Sequence, residues 1–175
     1  MFNPALIEKN IILLGFMGSG KSSVGEELAK KLGITKVDTD ELIVEKHKMS
    51  INEIFSKYGE KYFRDLETRV LKEVLTQTGY VVSTGGGIVL KEENWDILKR
   101  SDNAVTVSLM AEAKTLYERV KEDNSRPLLQ ADDPYEKICE LLKRRENLYL
   151  RAEIIIWTDN LRTREVADHI IDEAF

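Results

Sequence analysis

Gly15-Phe16-Met17-Gly18-Ser19-Gly20-Lys21-Ser22 reads G-x-x-x-x-G-K-[ST] in full, and it stands between an apolar run, Ile11 to Leu14, and a segment of helical spacing, Lys21 to Leu32. That context decides the fold. An unbroken apolar run ending at a glycine is how a strand buried on both faces reads. Val24, Leu28 and Leu32 fall on one helical stripe, and Gly33 follows as a stop. Between them, the glycines let successive backbone N–H groups turn toward one phosphate, and the helix N-terminus adds partial positive charge. In such a loop Lys21 reaches the β- and γ-phosphates of a nucleoside triphosphate and the Ser22 hydroxyl ligates Mg2+. The expected nucleotide contacts run through Gly18, Ser19, Gly20, Lys21, Ser22 and Ser23.

Outward from the loop, strand and helix signals alternate with short breaks, the pattern of a parallel sheet with helices on both faces. Strands are expected at Thr35 to Asp38, Tyr80 to Ser83, Ala104 to Leu109 and Glu153 to Trp157. Ser50 with Glu53 forms a capping box that opens a helix Ile51 to Tyr58, ended by Gly59. A second helix, Glu60 to Gln77, carries Phe63, Leu66, Val70, Leu71 and Val74 on one stripe. Further helices are expected at Lys91 to Lys99, Glu112 to Lys121, from Asp133-Pro134 to about Leu150, and at Arg164 to Ala174. Asn124 to Asp133, around Pro127, reads as a mobile loop. Without repeats or a linker, the 175 residues make one α/β domain of about five strands.

Composition narrows the function classes. A net charge of -5 argues against a surface that coats nucleic acid, which needs clustered positive charge. Cys139 is the one cysteine, so an internal disulfide is impossible and a Cys/His zinc cluster cannot be built with His47 and His169. The expectation is a cytoplasmic monomer with no export signal and no membrane anchor.

A phosphate loop alone does not separate GTPases, motor ATPases and small-molecule kinases. An N-K-x-D segment for guanine is missing, as is a strand ending in adjacent acids. Three further clusters bear on the acceptor. Asp38-Thr39-Asp40 follows the second strand, where one carboxylate can hold Mg2+ through water and the other can hydrogen-bond an acceptor hydroxyl; the same pair also suits the cap of a helix from Glu41. Arg64 lies three residues before Glu67 on the second helix, either as an exposed ion pair or as a guanidinium fixed to clamp a carboxylate. Gly85-Gly86-Gly87 ends the third strand, a costly run unless something approaches the backbone closely.

With the phosphate loop, the D-x-D, Phe63-Arg64 with Glu67, the triple glycine, Arg126-Pro127-Leu128, and Arg145 with Tyr149 in this order, the chain resembles the shikimate kinase family along essentially its whole length. The resemblance implies a three-layer P-loop kinase fold, with a substrate-binding segment at about 38–67 and a lid at about 121–133. It implies transfer of the γ-phosphoryl group of ATP to the 3-hydroxyl of shikimate. Lys21, Asp40 and Arg126 would be the catalytic groups, with Arg126 swinging over the phosphates from the lid. Asp40 would bind the ring hydroxyls, Arg64 and Arg145 the carboxylate, and Gly85, Gly86 and Gly87 would line the acceptor with the Gly86 N–H pointing at it. Asp38 would support Mg2+ through water beside Ser22, and Arg119 and Arg162 would sandwich the adenine. Arg144 adjoins Arg145, and the spacing to Leu148 and Tyr149 selects Arg145. The family often has a proline near the adenine after the last strand; here Asn160-Leu161-Arg162-Thr163-Arg164 has none. Rival readings are another small P-loop kinase, such as one for gluconate, and a catalytically silent nucleotide-binding relative.

Overall fold

The computed structural model describes residues 8–122 and 132–175. Arg126, and with it the centre of the expected lid, lies outside the described residues.

The elements in chain order are β1 (Asn10–Gly15), α1 (Lys21–Leu32), β2 (Thr35–Asp38), α2 (Thr39–His47), α3 (Ile51–Val74), β3 (Tyr80–Ser83), a 3-10 turn Ile88–Leu90, α4 (Glu92–Lys99), β4 (Ala104–Met110), α5 (Ala113–Val120), α6 (Pro134–Tyr149), β5 (Ile154–Trp157) and α7 (Thr163–Ala174). The strands form one sheet in the order β2-β3-β1-β4-β5, parallel throughout. Ile11 to Leu14 are fully buried, as an unbroken apolar run requires. Because strand side chains alternate, Ile12 and Leu14 join one core with α3, α4 and α6, while Ile11 and Leu13 join a second with α1 and α7. Burying each of these chains stabilises the fold by about 1.5–3 kcal/mol, so an aspartate placed anywhere in β1 would be severe.

Register sets the site. Leu13 of β1 and Asp38 of β2 both pair with Ser83 of β3, so β2 and β3 end at one level while β1 runs on to Gly15, directly into the phosphate loop. The phosphate loop, the D-x-D and the triple glycine therefore leave the sheet side by side. The chain turns in opposite directions on either side of β1, which opens a crevice at the carboxyl ends of the strands.

Three helical expectations change. Gly59 does not end a helix but kinks one: with φ 82 and ψ 170 it redirects α3, which resumes at once without a loop. The Phe55 and Phe63 rings, 4.7 Å between centroids, pack across that kink. The helix also stops at Val74 rather than Gln77. The segment after β2 is a full helix from Thr39, capped by Asp38, whose Oδ1 accepts from the Asp40 N–H at 2.9 Å and the Glu41 N–H at 3.4 Å. The remaining helices start and stop within a residue or two of expectation, and Asp133 caps α6 by accepting from the Glu136 N–H at 2.9 Å. Among the described residues, no helix is long and apolar enough to cross a membrane.

Candidate active site

The loop after β1 curls over the helix start. Gly18 takes φ 76, and a Cβ there would meet Val120 Cγ1 at 2.7 Å, so both conformation and space demand glycine. Lys21 Nζ donates to the carbonyls of Gly15 at 2.8 Å and Phe16 at 3.0 Å, which folds the ammonium back over the loop. A cleft of about 700 Å3 opens here, and Gly18 to Ser23, Asp38, Asp40, Gly85, Gly86, Arg119 and Arg162 all line it.

Ser22 and Asp38 share that cleft. Among the described residues, no group of three or more His, Cys, Asp or Glu could hold a bare ion. The donor set fits Mg2+ that arrives on phosphate, because this cation keeps its waters and takes one or two protein oxygens. Asp38 uses Oδ1 to cap α2, which leaves Oδ2 for a metal-bound water.

A second corner of the site is built on the triple glycine. A Cβ at Gly87 would stand 2.0 Å from Arg64 Nη1, and one at Gly85 would stand 2.6 Å from Asp40 Oδ1 and 2.7 Å from Glu67 Oε1. Neither glycine has positive φ. What the glycines supply is room for two carboxylates and a guanidinium against the main chain. Asp40 and Arg64 thus meet at one corner, although they come from α2 and α3. The Gly85 N–H donates to Thr39 Oγ1 at 3.2 Å, tying the corner to the first turn of α2.

Arg64 is held rather than loose. Nη1 donates to Glu67 Oε2 at 2.7 Å, and Nη2 and Nε donate to Glu60 Oε1 at 3.0 and 3.3 Å. The guanidinium also lies 5.4 Å from the Phe63 ring centroid and 5.8 Å from that of Phe55. Glu67 is wholly buried. Desolvation, opposed by Arg64, pushes its carboxyl up to about 7.

On α6 the two neighbouring arginines part. Arg144 is exposed and pairs with Glu140 at 2.6 Å. Arg145 turns inward, 5.9 Å from the Phe16 ring centroid, where its charge reaches Glu67 and Tyr149. The buried Tyr149 hydroxyl donates to the Gly86 carbonyl at 2.6 Å, so α6 braces the middle glycine. Burial pushes that hydroxyl up to about 12, which keeps it a donor at any ordinary pH.

At the other end of the cleft, Arg119 donates to Thr158 Oγ1 at 3.0 Å, to the Thr158 carbonyl at 2.8 Å and to the Gly18 carbonyl at 3.3 Å. It is a fixed wall. Arg162, its side chain 86% exposed, pairs with Glu165 at 2.9 Å. Glu60 and Thr158 were missed as parts of this site, and Tyr149 entered only through the family spacing to Arg145: Glu60 had its i,i+4 spacing to Arg64 as a signal, whereas Thr158 had none, since its partner Arg119 lies far away in sequence.

Gly87→Ala follows as a sharp test of the corner. The clashing atoms are the far end of a side chain, so Arg64 can give way and the fold should survive. Shifting a clamp by about 1 Å costs roughly tenfold to a hundredfold in the affinity it provides. If Arg64 clamps an acid acceptor, the KM for that acid should rise by that factor, and an unchanged KM in steady-state assays would show that the glycine serves no such purpose.

A family model described as Shikimate kinase matches residues 17–174. A shikimate kinase of Thermodesulfovibrio yellowstonii is 47% identical over 165 residues, covering 94% of each chain. The shikimate kinase of Acinetobacter baumannii, solved in complex with shikimate, superposes with a TM-score of 0.90 at 36% identity, covering 97% of this chain and 96% of that one. The shikimate kinase of Bacteroides thetaiotaomicron superposes at 0.86 with 31% identity over 95% of this chain and 97% of the other.

Proposed function

The chain belongs to the shikimate kinase family, and on that premise we propose that its cleft carries out the family's reaction through the residues gathered at the triple glycine. The enzyme is an ATP:shikimate 3-phosphotransferase. The observation that carries the residue assignment is the meeting of Asp40, Arg64 and Glu67 on Gly85 to Gly87, beside the loop that bears Lys21.

The loop amides and Lys21 hold the β- and γ-phosphates. Arg64 and Arg145 bind the acceptor carboxylate from two helices, which fixes the ring's orientation. Glu67 and Glu60 hold the Arg64 fork in place, so little side-chain freedom is lost when the acceptor binds. Asp40 accepts a hydrogen bond from the attacking hydroxyl and takes its proton as the oxygen–phosphorus bond forms and the bond to the β-phosphate oxygen breaks. Lys21 neutralises charge moving onto the bridging and γ oxygens. Mg2+, held by Ser22 and through water by Asp38, would supply further neutralisation on the phosphates. Arg126 is assigned to the same phosphates from the segment outside the described residues, and Arg119 and Arg162 are assigned to the adenine by their place on the cleft wall. All these groups come from one chain, which supports a monomer, and the single Cys139 suits a reducing cytoplasm.

A coupled assay for ADP formation tests the reaction. ADP should appear only with ATP, Mg2+ and shikimate together, and gluconate in place of shikimate should give the acceptor-free background. Equal turnover on gluconate, or turnover without any acceptor, would defeat the reading.

A further inference from the structure

Glu67 does more than hold Arg64. Only Oε2 faces that guanidinium; Oε1 is buried and has no hydrogen-bond partner among the described residues. It points to the spot above Gly85 that Asp40 Oδ1 also approaches, the two standing 2.7 and 2.6 Å from where a Cβ would be. An ionised Oε1 therefore sits with no donor and with a second carboxylate for a neighbour, a costly arrangement. A proton on Oε1 relieves both problems at once. The group becomes a donor on the Asp40 side, and Oε2 still accepts from Arg64.

The groups around it make the consequence electrostatic. Arg64 faces Glu67 from α3, with Glu60 behind that guanidinium. Asp40 faces it from α2, and Arg145 and the Tyr149 hydroxyl from α6. The glycine corner offers only backbone. With Glu67 ionised, the two guanidiniums meet the two inward carboxylates, Glu67 and Asp40, while Glu60 is screened by water at 61% exposure, and nothing is left over to attract an anion. With Glu67 protonated, one positive charge remains for the incoming carboxylate.

We propose that Glu67 is a proton-linked positioning residue: the acceptor anion binds the form in which Glu67 carries a proton, so acceptor binding takes up a proton whenever the free enzyme has Glu67 ionised. This rests on the reading of shikimate as the acceptor. Linkage is reciprocal, so acceptor affinity falls as pH rises through the titration of Glu67. A carboxyl already drawn up toward neutrality by burial places that fall within the working range of the enzyme. A protonated Glu67 also serves the chemistry, since donation toward Asp40 keeps Asp40 ionised as the acceptor of the hydroxyl proton.

The test is calorimetry of shikimate binding to the whole enzyme in two buffers of different ionisation enthalpy. Uptake should be near zero at about pH 6 and approach one proton by about pH 8.5, with Kd rising by up to about tenfold per pH unit between them. Glu67→Gln copies the protonated state, because its amide both accepts from Arg64 and donates toward Asp40. Its Kd should be flat across the range, with no proton uptake. Wild-type binding without uptake at high pH, a variant that keeps the pH slope, or a variant already weakened at low pH would each overturn the proposal; the last is what a purely structural role predicts. The wild-type measurement stands even if the variant misfolds. Absence of both shikimate binding and shikimate-dependent ADP formation would instead reject the acceptor, and this inference with it.

Discussion

Lys21→Ala lowers kcat by about a hundredfold to a thousandfold, the usual loss when one preorganised charge on a transferring group is removed. The reason lies in what else the cleft holds. The loop amides that cradle the β-phosphate are backbone and survive the change, so nucleotide still binds, though more weakly. What disappears is the one ammonium folded over the loop at Gly15 and Phe16. The two hydrogen bonds lost there stabilise the protein by about 1 kcal/mol each at most, so Tm should move only slightly. Steady-state kinetics at saturating ATP and shikimate, with thermal melting as a control, measures the split. A kcat within tenfold of wild type would mean that charge on the γ-phosphate is balanced from elsewhere.

Arg64→Ala acts on the other substrate. Truncating one partner of a buried, hydrogen-bonded charge pair costs about 2–5 kcal/mol in binding, so KM for shikimate should rise by about thirtyfold or more, while KM for ATP changes little. Equal losses for both ligands would remove Arg64 from its assigned place. The same variant carries a stability signature, because Glu67 loses the guanidinium that favours its ionised form. In the wild type, Glu67 has a folded pKa raised from the model-peptide value of 4.5 to about 7. The folded state then binds the extra proton, and stability falls as pH climbs from the lower value through the higher one. Without Arg64 that fall should be larger and extend further up in pH, approaching about 3–5 kcal/mol for an unpartnered buried charge. Melting curves between about pH 5 and pH 9 would show it. A variant whose stability does not drop with pH beyond the wild-type slope would mean that water reaches Glu67 once the arginine is gone.

Local chemistry made much of this enzyme legible from the chain alone. The phosphate loop, the unbroken apolar run before it, the Ser50–Glu53 box and the Asp133-Pro134 start are short-range patterns, complete within a few residues, so they can be read without knowing what packs on them. The family motifs likewise named Asp40, Arg64 and Arg145 before any geometry was at hand.

Other features depend on partners distant in sequence. Whether Gly59 would stop a helix or bend it turned on Phe55 and Phe63 stacking across the kink. Beyond its capped start, α2 gives little amphipathic signal: of its three adjacent apolar residues, Leu42, Ile43 and Val44, only Ile43 is buried. The family spacing already selects Arg145 over Arg144, but that it packs over the Phe16 ring of the phosphate loop is set only by how α6 docks. The state of Glu67 is the clearest case. Three residues from an arginine, it reads as an ordinary ion pair, and nothing nearby in the chain says that its second oxygen will be buried against Asp40. Desolvation and charge proximity belong to the assembled corner, where α2, α3, α6 and the strand-end glycines meet; a linear pattern encodes which groups are present but not which of them lose their water.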